Sequence, residues 1–245
     1  MNILTLSGLS IGYGKTVIAE RLNGELHSGE LTCLVGRNGI GKSTLLRTLA
    51  RFQPALGGML QIAGRDINTL SRKELSMLVS IVMTARPDVQ MMTAREVVAL
   101  GRSPYTNIWG TMSEKDHSIA ERCIKEVGAE HLADRRISTL SDGECQKVMI
   151  AKAMAQETPI IILDEPTAFL DYPSKADTMR LIKDMTRRTG YYAAAQSPAA
   201  LLSTHDMEMA LKTADRLWVM TSDRQLVCGT VEEVKDILKE ERLMP

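Results

Sequence analysis

The run Leu31-Thr32-Cys33-Leu34-Val35 passes directly into Gly36-Arg37-Asn38-Gly39-Ile40-Gly41-Lys42-Ser43-Thr44, and then into Leu45-Leu46 and Leu49. A compact apolar run with β-branched members reads as a buried strand. The glycines read as a tight turn, and apolar residues three and four apart as a helix. Strand, glycine-rich turn and helix in that order restrict the chain to α/β folds with a mainly parallel sheet. The nine residues from Gly36 to Thr44 also fit the G-x-x-x-x-G-K-[ST] phosphate loop. In such a loop backbone N–H groups converge on phosphate oxygens, and the helix that follows turns its positive end toward them. Lys42 is then placed to neutralise β and γ phosphates, and Ser43 to ligate Mg²⁺. A chance glycine-rich turn is the bland alternative, and the flanking strand and helix argue against it.

The rest of the chain extends this pattern. Ile3 to Leu9 and Thr16-Val17-Ile18 look like strands of a half-exposed antiparallel sheet. Further strand candidates are Met59 to Ile62, Ser80 to Met83, Leu201 to Thr204 and Leu217 to Met220. Pro159 to Leu163 is apolar without alternation, as expected of a strand buried on both faces. Ser113 to Val127 reads as a helix with Ser113 as N-cap and Asp116 at N3. Val231 to Arg242 reads as a solvated helix. The 245 residues suffice for one α/β domain with a smaller helical lobe. The 30 basic and 30 acidic residues cancel, which argues against a nucleic-acid partner or a polybasic membrane anchor. Cys33, Cys123, Cys145 and Cys228 lack paired spacing and read as reduced thiols. With no leader pattern and no apolar run of ~18 residues, a cytoplasmic location is expected.

Two further stretches carry chemistry. Ile160-Ile161-Ile162-Leu163 ends in Asp164-Glu165-Pro166, which puts Asp164 within reach of a Mg²⁺ shell and Glu165 where a carboxylate polarises an attacking water. Alone, that junction is equally an ordinary strand-to-turn. Ser141 to Glu144 has the Ser-x-x-Glu spacing of a capping box. A capped helix end bearing Ser141 and the bare backbone of Gly143 is also an anion site. One chain rarely needs two phosphate-binding elements for one nucleotide, which hints at a site shared between two copies. His205 follows a strand at the sheet edge, and a lone histidine there is more often structural. Tyr13, between Gly12 and Gly14, is either a turn residue or a ring for stacking on a base. The Asn-Lys-x-Asp signal of guanine binders is absent, which favours ATP.

In order, these pieces resemble the ATPase subunit of an ATP-binding-cassette transporter, and the resemblance covers residues 1–245 as one domain. Tyr13 matches that family's adenine-stacking aromatic, Gly36 to Thr44 its phosphate loop, and Leu140 to Glu144 its Leu-Ser-Gly-Gly-Gln signature. Ile160 to Glu165 matches the acidic strand, Leu170-Asp171 the D-loop and His205 the switch histidine. The resemblance implies a P-loop NTPase with a central parallel sheet, an N-terminal antiparallel β-subdomain and a helical subdomain over roughly 86–158. It further implies ATP and Mg²⁺, with Ser43 and Asp164 on the metal and Glu165 and His205 catalytic. ATP would be held by Tyr13, Gly36 to Thr44, Ser141, Gly143 and Asp171, in a head-to-tail dimer where the signature helix of one copy serves the nucleotide of the other. Integral-membrane permease subunits and, indirectly, a substrate-binding protein are the implied partners, and the cytoplasmic face of the membrane the implied location. Met92 to Tyr105, with Gly101-Arg102-Ser103-Pro104-Tyr105 at its end, looks like the corresponding region of importers for iron–siderophore complexes, haem and vitamin B12. There it lies near the groove for the permease's coupling helix.

The chain departs from the family pattern in places. Thr84 stands where the lid loop usually has Gln, Asp142 replaces the first signature Gly, and Cys145 replaces a common basic residue. Tyr191 to Pro198 looks like an insertion ahead of His205. Another transporter class, a non-transport dimerisation switch and a small-molecule kinase are the competing readings, and the signature-like Leu140 to Glu144 argues against the kinase.

Overall fold

The computed structural model describes residues 1–85, 88–89, 91–107, 109–188 and 197–244. The expected insertion at Tyr191 to Pro198 therefore lies outside the described residues, apart from its last two. Ten strands and eight helices are described: β1 (Asn2–Tyr13), β2 (Thr16–His27), β3 (Leu31–Gly36), α1 (Lys42–Leu49), β4 (Gly57–Ile62), β5 (Arg65–Asp66), α2 (Arg72–Ser76), β6 (Val79–Val82), α3 (Ala94–Ala99), α4 (Glu114–Glu126), α5 (Asp142–Ala155), β7 (Ile160–Asp164), α6 (Tyr172–Arg187), β8 (Ala199–Ser203), α7 (Met207–Thr213), β9 (Arg216–Met220), β10 (Leu226–Gly229) and α8 (Lys235–Glu240).

They form two sheets. The antiparallel one has the order β2-β1-β4-β5, and the six-stranded one β10-β9-β3-β8-β7-β6, parallel except for β10. Alternate residues of the central strands enter different cores. Ile161 and Leu163 of β7 pack with α3 to α7, whereas Ile160 and Ile162 join Leu45, Leu46 and Leu49 of α1 and the antiparallel sheet. Burial on both faces is why these strands read as unbroken apolar runs. Parallel pairing of β3 with β8 and of β8 with β7 sets Gly36, Ser203 and Asp164 at one edge. In open α/β sheets, ligands bind outside this carboxyl edge.

The helical side is tied down by the Gly101 to Tyr105 segment, which forms a 3-10 turn. A Cβ at Gly101 would lie 2.3 Å from the Lys152 carbonyl oxygen, so only glycine allows this turn to rest on α5. The buried Arg102 donates to Asp116 Oδ1 (2.9 Å), to Glu157 Oε2 (3.0 Å) and to the Ala155 carbonyl, under the Tyr105 ring. The capping box of Ser113 and Asp116 forms as expected. Two expectations need correction. The helix expected over Val231 to Arg242 is only Lys235–Glu240 and is not wholly solvated, because Val234 and Leu238 are buried in the larger core. The opening strands are also longer than expected, since β1 and β2 pair along most of their length, with bulges or irregularities where the register shifts.

Candidate functional site

The phosphate loop leaves β3 through Gly36, where a Cβ would sit 2.6 Å from the Met220 carbonyl, and turns at Gly39 with φ 76° and open space around it. Lys42 is buried and folds back over the loop, donating to the carbonyls of Gly36 (2.8 Å) and Arg37 (3.1 Å). Burial lowers its pKa, and the charges of Glu165 and Asp164 oppose that shift. No side chain caps the N-terminus of α1. Its N–H groups thus remain for an anion, and the ammonium stands beside them. The donor set fits a polyphosphate. Tyr13 extends from the β1–β2 turn, its hydroxyl 3.1 Å from Thr44 Oγ1, with its ring half exposed above the first turn of α1. Gln53 steadies this corner by donating to the Gly12 carbonyl (3.3 Å) and to Thr48 Oγ1 (3.0 Å).

At the end of β7, the buried Asp164 accepts from Ser43 Oγ (3.0 Å) and Ser203 Oγ (2.8 Å) on one oxygen, Oδ1. Ser43 and Asp164, separated by 121 residues in sequence, are thus brought together as the sequence led us to expect. Such a hydroxyl and carboxylate suit Mg²⁺, which takes one or two protein ligands beside phosphate and water. Glu165 has φ 48°, in the left-handed region that non-glycine residues rarely occupy. That conformation is held by its N–H donating to Ser203 Oγ (2.9 Å) and its carbonyl accepting from the Ala168 N–H (3.0 Å). His205 Nδ1 lies 3.7 Å from Glu165 Oε2, so the histidine and the carboxylate face one another. Thr84 donates to the Asp164 carbonyl (2.7 Å), which commits its hydroxyl to the strand end. Ser203 was missed from the sequence. Its signal was a single hydroxyl ending an otherwise apolar, buried strand just before Thr204-His205.

Ser141 and Gly143 are not brought to the phosphate loop of their own chain. They line a cavity of about 170 Å³ with His131, Glu144, Ser174 and Asp177. Ser141 forms the expected capping box, accepting from the Glu144 N–H while Glu144 accepts from the Ser141 N–H (2.8 Å). Asp171 caps α6 by accepting from the Ser174 N–H (2.9 Å), and the Ser174 side chain first, then this backbone bond, hold its carboxyl below the ordinary range. Phe169, beside it, is 82% exposed. A separate cleft of about 340 Å³ joins Glu165 and Thr84 to Asp142, Cys145 and Gln146 on α5.

Residues 19–168 match the ABC transporter family. The chain belongs to that family. As an ABC ATPase it is 38% identical over 95% of its length, and 78% of the relative's, to an ABC transporter ATP-binding protein of Methanocaldococcus jannaschii. It is 33% identical to the ferric enterobactin transport ATP-binding protein of Escherichia coli, over 92% of this chain and 81% of the other. Among solved structures it is similar to a nucleotide-free ATP-binding cassette from an ABC transporter, with TM-score 0.84 and 23% identity, covering 99% of this chain and 97% of that one. Among the described residues no helix is long and apolar enough to cross a membrane.

Proposed function

We propose that this ABC ATPase powers import of a metal chelate, of the iron–siderophore, haem or cobalamin kind, through separate permease subunits at the cytoplasmic face of the membrane. The cargo class is supported by relatives named for ferric enterobactin, iron(3+)-hydroxamate and cobalamin import. The catalytic reading rests above all on the strained Glu165 beside the Ser43–Asp164 pair, with His205 facing it. Backbone strain of this kind costs about 1–3 kcal/mol and tends to persist where the surrounding structure needs it.

In this reading Lys42, the loop backbone and the uncapped end of α1 bind the ATP phosphates, and Tyr13 stacks on the base. Ser43 and Asp164 hold Mg²⁺, which when bound neutralises charge on the phosphates. Glu165 orients the attacking water and accepts its proton, while His205 donates to the γ-phosphoryl oxygens. Ser141, Gly143 and Asp171 serve the nucleotide of a second copy packed head to tail. Their separation from their own phosphate loop supports that arrangement, as do Phe169 and Tyr172, exposed beside Asp171. The helical lobe, roughly 86–158, carries the face toward the membrane partner.

Glu165→Gln is expected to keep ATP binding, to lower turnover at least 100-fold and to accumulate an ATP-bound dimer in size-exclusion chromatography. Phosphate release at the wild-type rate would overturn the assignment.

A further inference from the structure

The peptide unit that joins Asp164 to Glu165 is gripped at both of its polar ends by hydroxyls from neighbouring segments. Its carbonyl, on Asp164, accepts from Thr84 Oγ1 (2.7 Å), and its N–H, on Glu165, donates to Ser203 Oγ (2.9 Å). Ser203 ends β8 and Thr84 lies just beyond β6, the two strands that flank β7. The parallel ladders stop here, with Val82 paired to Leu163 and Ser203 to Asp164, so side chains take over where strand pairing ends. Ser203 is wholly buried, and its own proton goes to Asp164 Oδ1 (2.8 Å), which also accepts from Ser43. One hydroxyl thus joins the strand leading to His205 to both carboxylate residues.

This grip is what the left-handed backbone of Glu165 requires. Its φ of 48° relaxes toward the ordinary negative region only if the preceding peptide plane turns, which swings the carbonyl and the N–H away from their partners. A backbone group left unpaired away from water is costly, so two hydroxyls fixing one plane oppose that turn. We propose that Ser203 and Thr84 are positioning residues that clamp the Asp164–Glu165 peptide. The clamp aims the Glu165 side chain into the cleft it lines with Thr84 and leaves Asp164 Oδ2 to an ion. The proposal rests on the catalytic reading of Glu165. It also gives Thr84 a task at the strand end, in a lid-loop position where the family usually has Gln.

The test compares Ser203→Ala, Thr84→Val, Thr84→Ser and the double variant Ser203→Ala/Thr84→Val with the wild type. Steady-state ATP hydrolysis, ATP titration calorimetry and Mn²⁺ binding to the nucleotide-loaded chain by electron paramagnetic resonance are the readouts. Ser203→Ala and Thr84→Val should each lower kcat about tenfold while KM and affinity for ATP stay within about twofold, since misaiming a reacting group slows the chemical step without loosening the phosphate loop. Thr84→Ser, which keeps the hydroxyl, should restore most of the rate. The double variant should lose little more than either single one, because both changes free the same peptide. Mn²⁺ binding should weaken about tenfold in Ser203→Ala, which loses a bond to the carboxylate, and stay unchanged in Thr84→Val, whose bond is to the carbonyl. Unchanged kcat in Ser203→Ala, even with lower thermal stability, overturns the proposal, as does a double variant whose losses multiply. Unchanged Mn²⁺ binding in Ser203→Ala overturns its role toward Asp164. Wild-type turnover in Glu165→Gln would instead overturn the catalytic reading on which the clamp rests.

Discussion

The N-termini of α1 and α5 are two helix ends with the same proposed ligand and opposite preparation. At α1 no side chain caps the helix, and Lys42 rests on loop carbonyls. At α5 the Ser141 hydroxyl and backbone are both engaged with Glu144, an acid that also pairs with Arg135 at 3.3 Å. The first end has unsatisfied N–H donors and a buried cation, so it is ready for phosphate within a single chain. The second is internally satisfied and carries Asp142 and Glu144 in its first turn, so an incoming phosphate has to compete with the cap. In the proposed reading one end binds by itself, and the other is suited to engage only when a second copy brings the ligand. In the proposed head-to-tail dimer, this difference gives ATP-driven closure a physical origin.

Lys42→Met is the change with the largest expected effect on that contrast. It removes the cation from the prepared end and should weaken ATP binding at least 100-fold, measured by titration calorimetry, while the buried position tolerates an apolar chain of similar length. Unchanged affinity would mean that α1 is not the primary phosphate site. A smaller effect is expected from Glu144→Gln. The substituted side chain can still complete the capping box, but one negative charge leaves the α5 end. ATP-dependent dimerisation in the Glu165→Gln background should tighten about threefold, roughly the worth of one exposed helix-end charge. Equal or weaker dimerisation would argue that this end never meets phosphate.

The same variant has a pH signature. The Ser141 N–H first, and then its hydroxyl, hold the Glu144 carboxyl below the ordinary glutamate range. The folded pKa is lowered, so the stabilisation is complete above the ordinary glutamate pKa and is lost as pH falls through the lowered value. Thermal denaturation of the wild type should therefore fall more steeply below about pH 4.5 than that of Glu144→Gln. The difference is expected to be small, because Glu74 and Glu96 make similar caps on α2 and α3.

The legible parts of the site were those whose bonds span few residues. The capping boxes at Ser113 and Ser141 were readable because an N-cap and its N3 partner lie three apart. The phosphate loop was readable because strand, turn and helix adjoin. The Ser43–Asp164 contact was anticipated only because each residue sat in a recognisable local pattern. Ser203 escaped because nothing local distinguishes a hydroxyl facing another strand from one facing water. The Met92 to Tyr105 segment was recognised, but its glycine and arginine proved to do structural tasks, with Gly101 against α5 and Arg102 in a buried ionic network. Val231 to Arg242 was misjudged because Val234 and Leu238 are covered by elements distant in sequence.

The sequence by itself determined the α/β class, the phosphate loop, the carboxylate pair at a strand end and the caps, since periodicity and hydrogen bonds across three or four residues write those features along the chain. Only the tertiary structure decided which strand ends meet, to what Thr84 and Ser203 commit their hydroxyls, and that Lys152 stands without an anion among the described residues. Strand order and burial are set by packing between segments far apart in sequence, as in the Leu31 N–H to Asp215 bond across 184 residues. At that range neither residue carries a mark of the other.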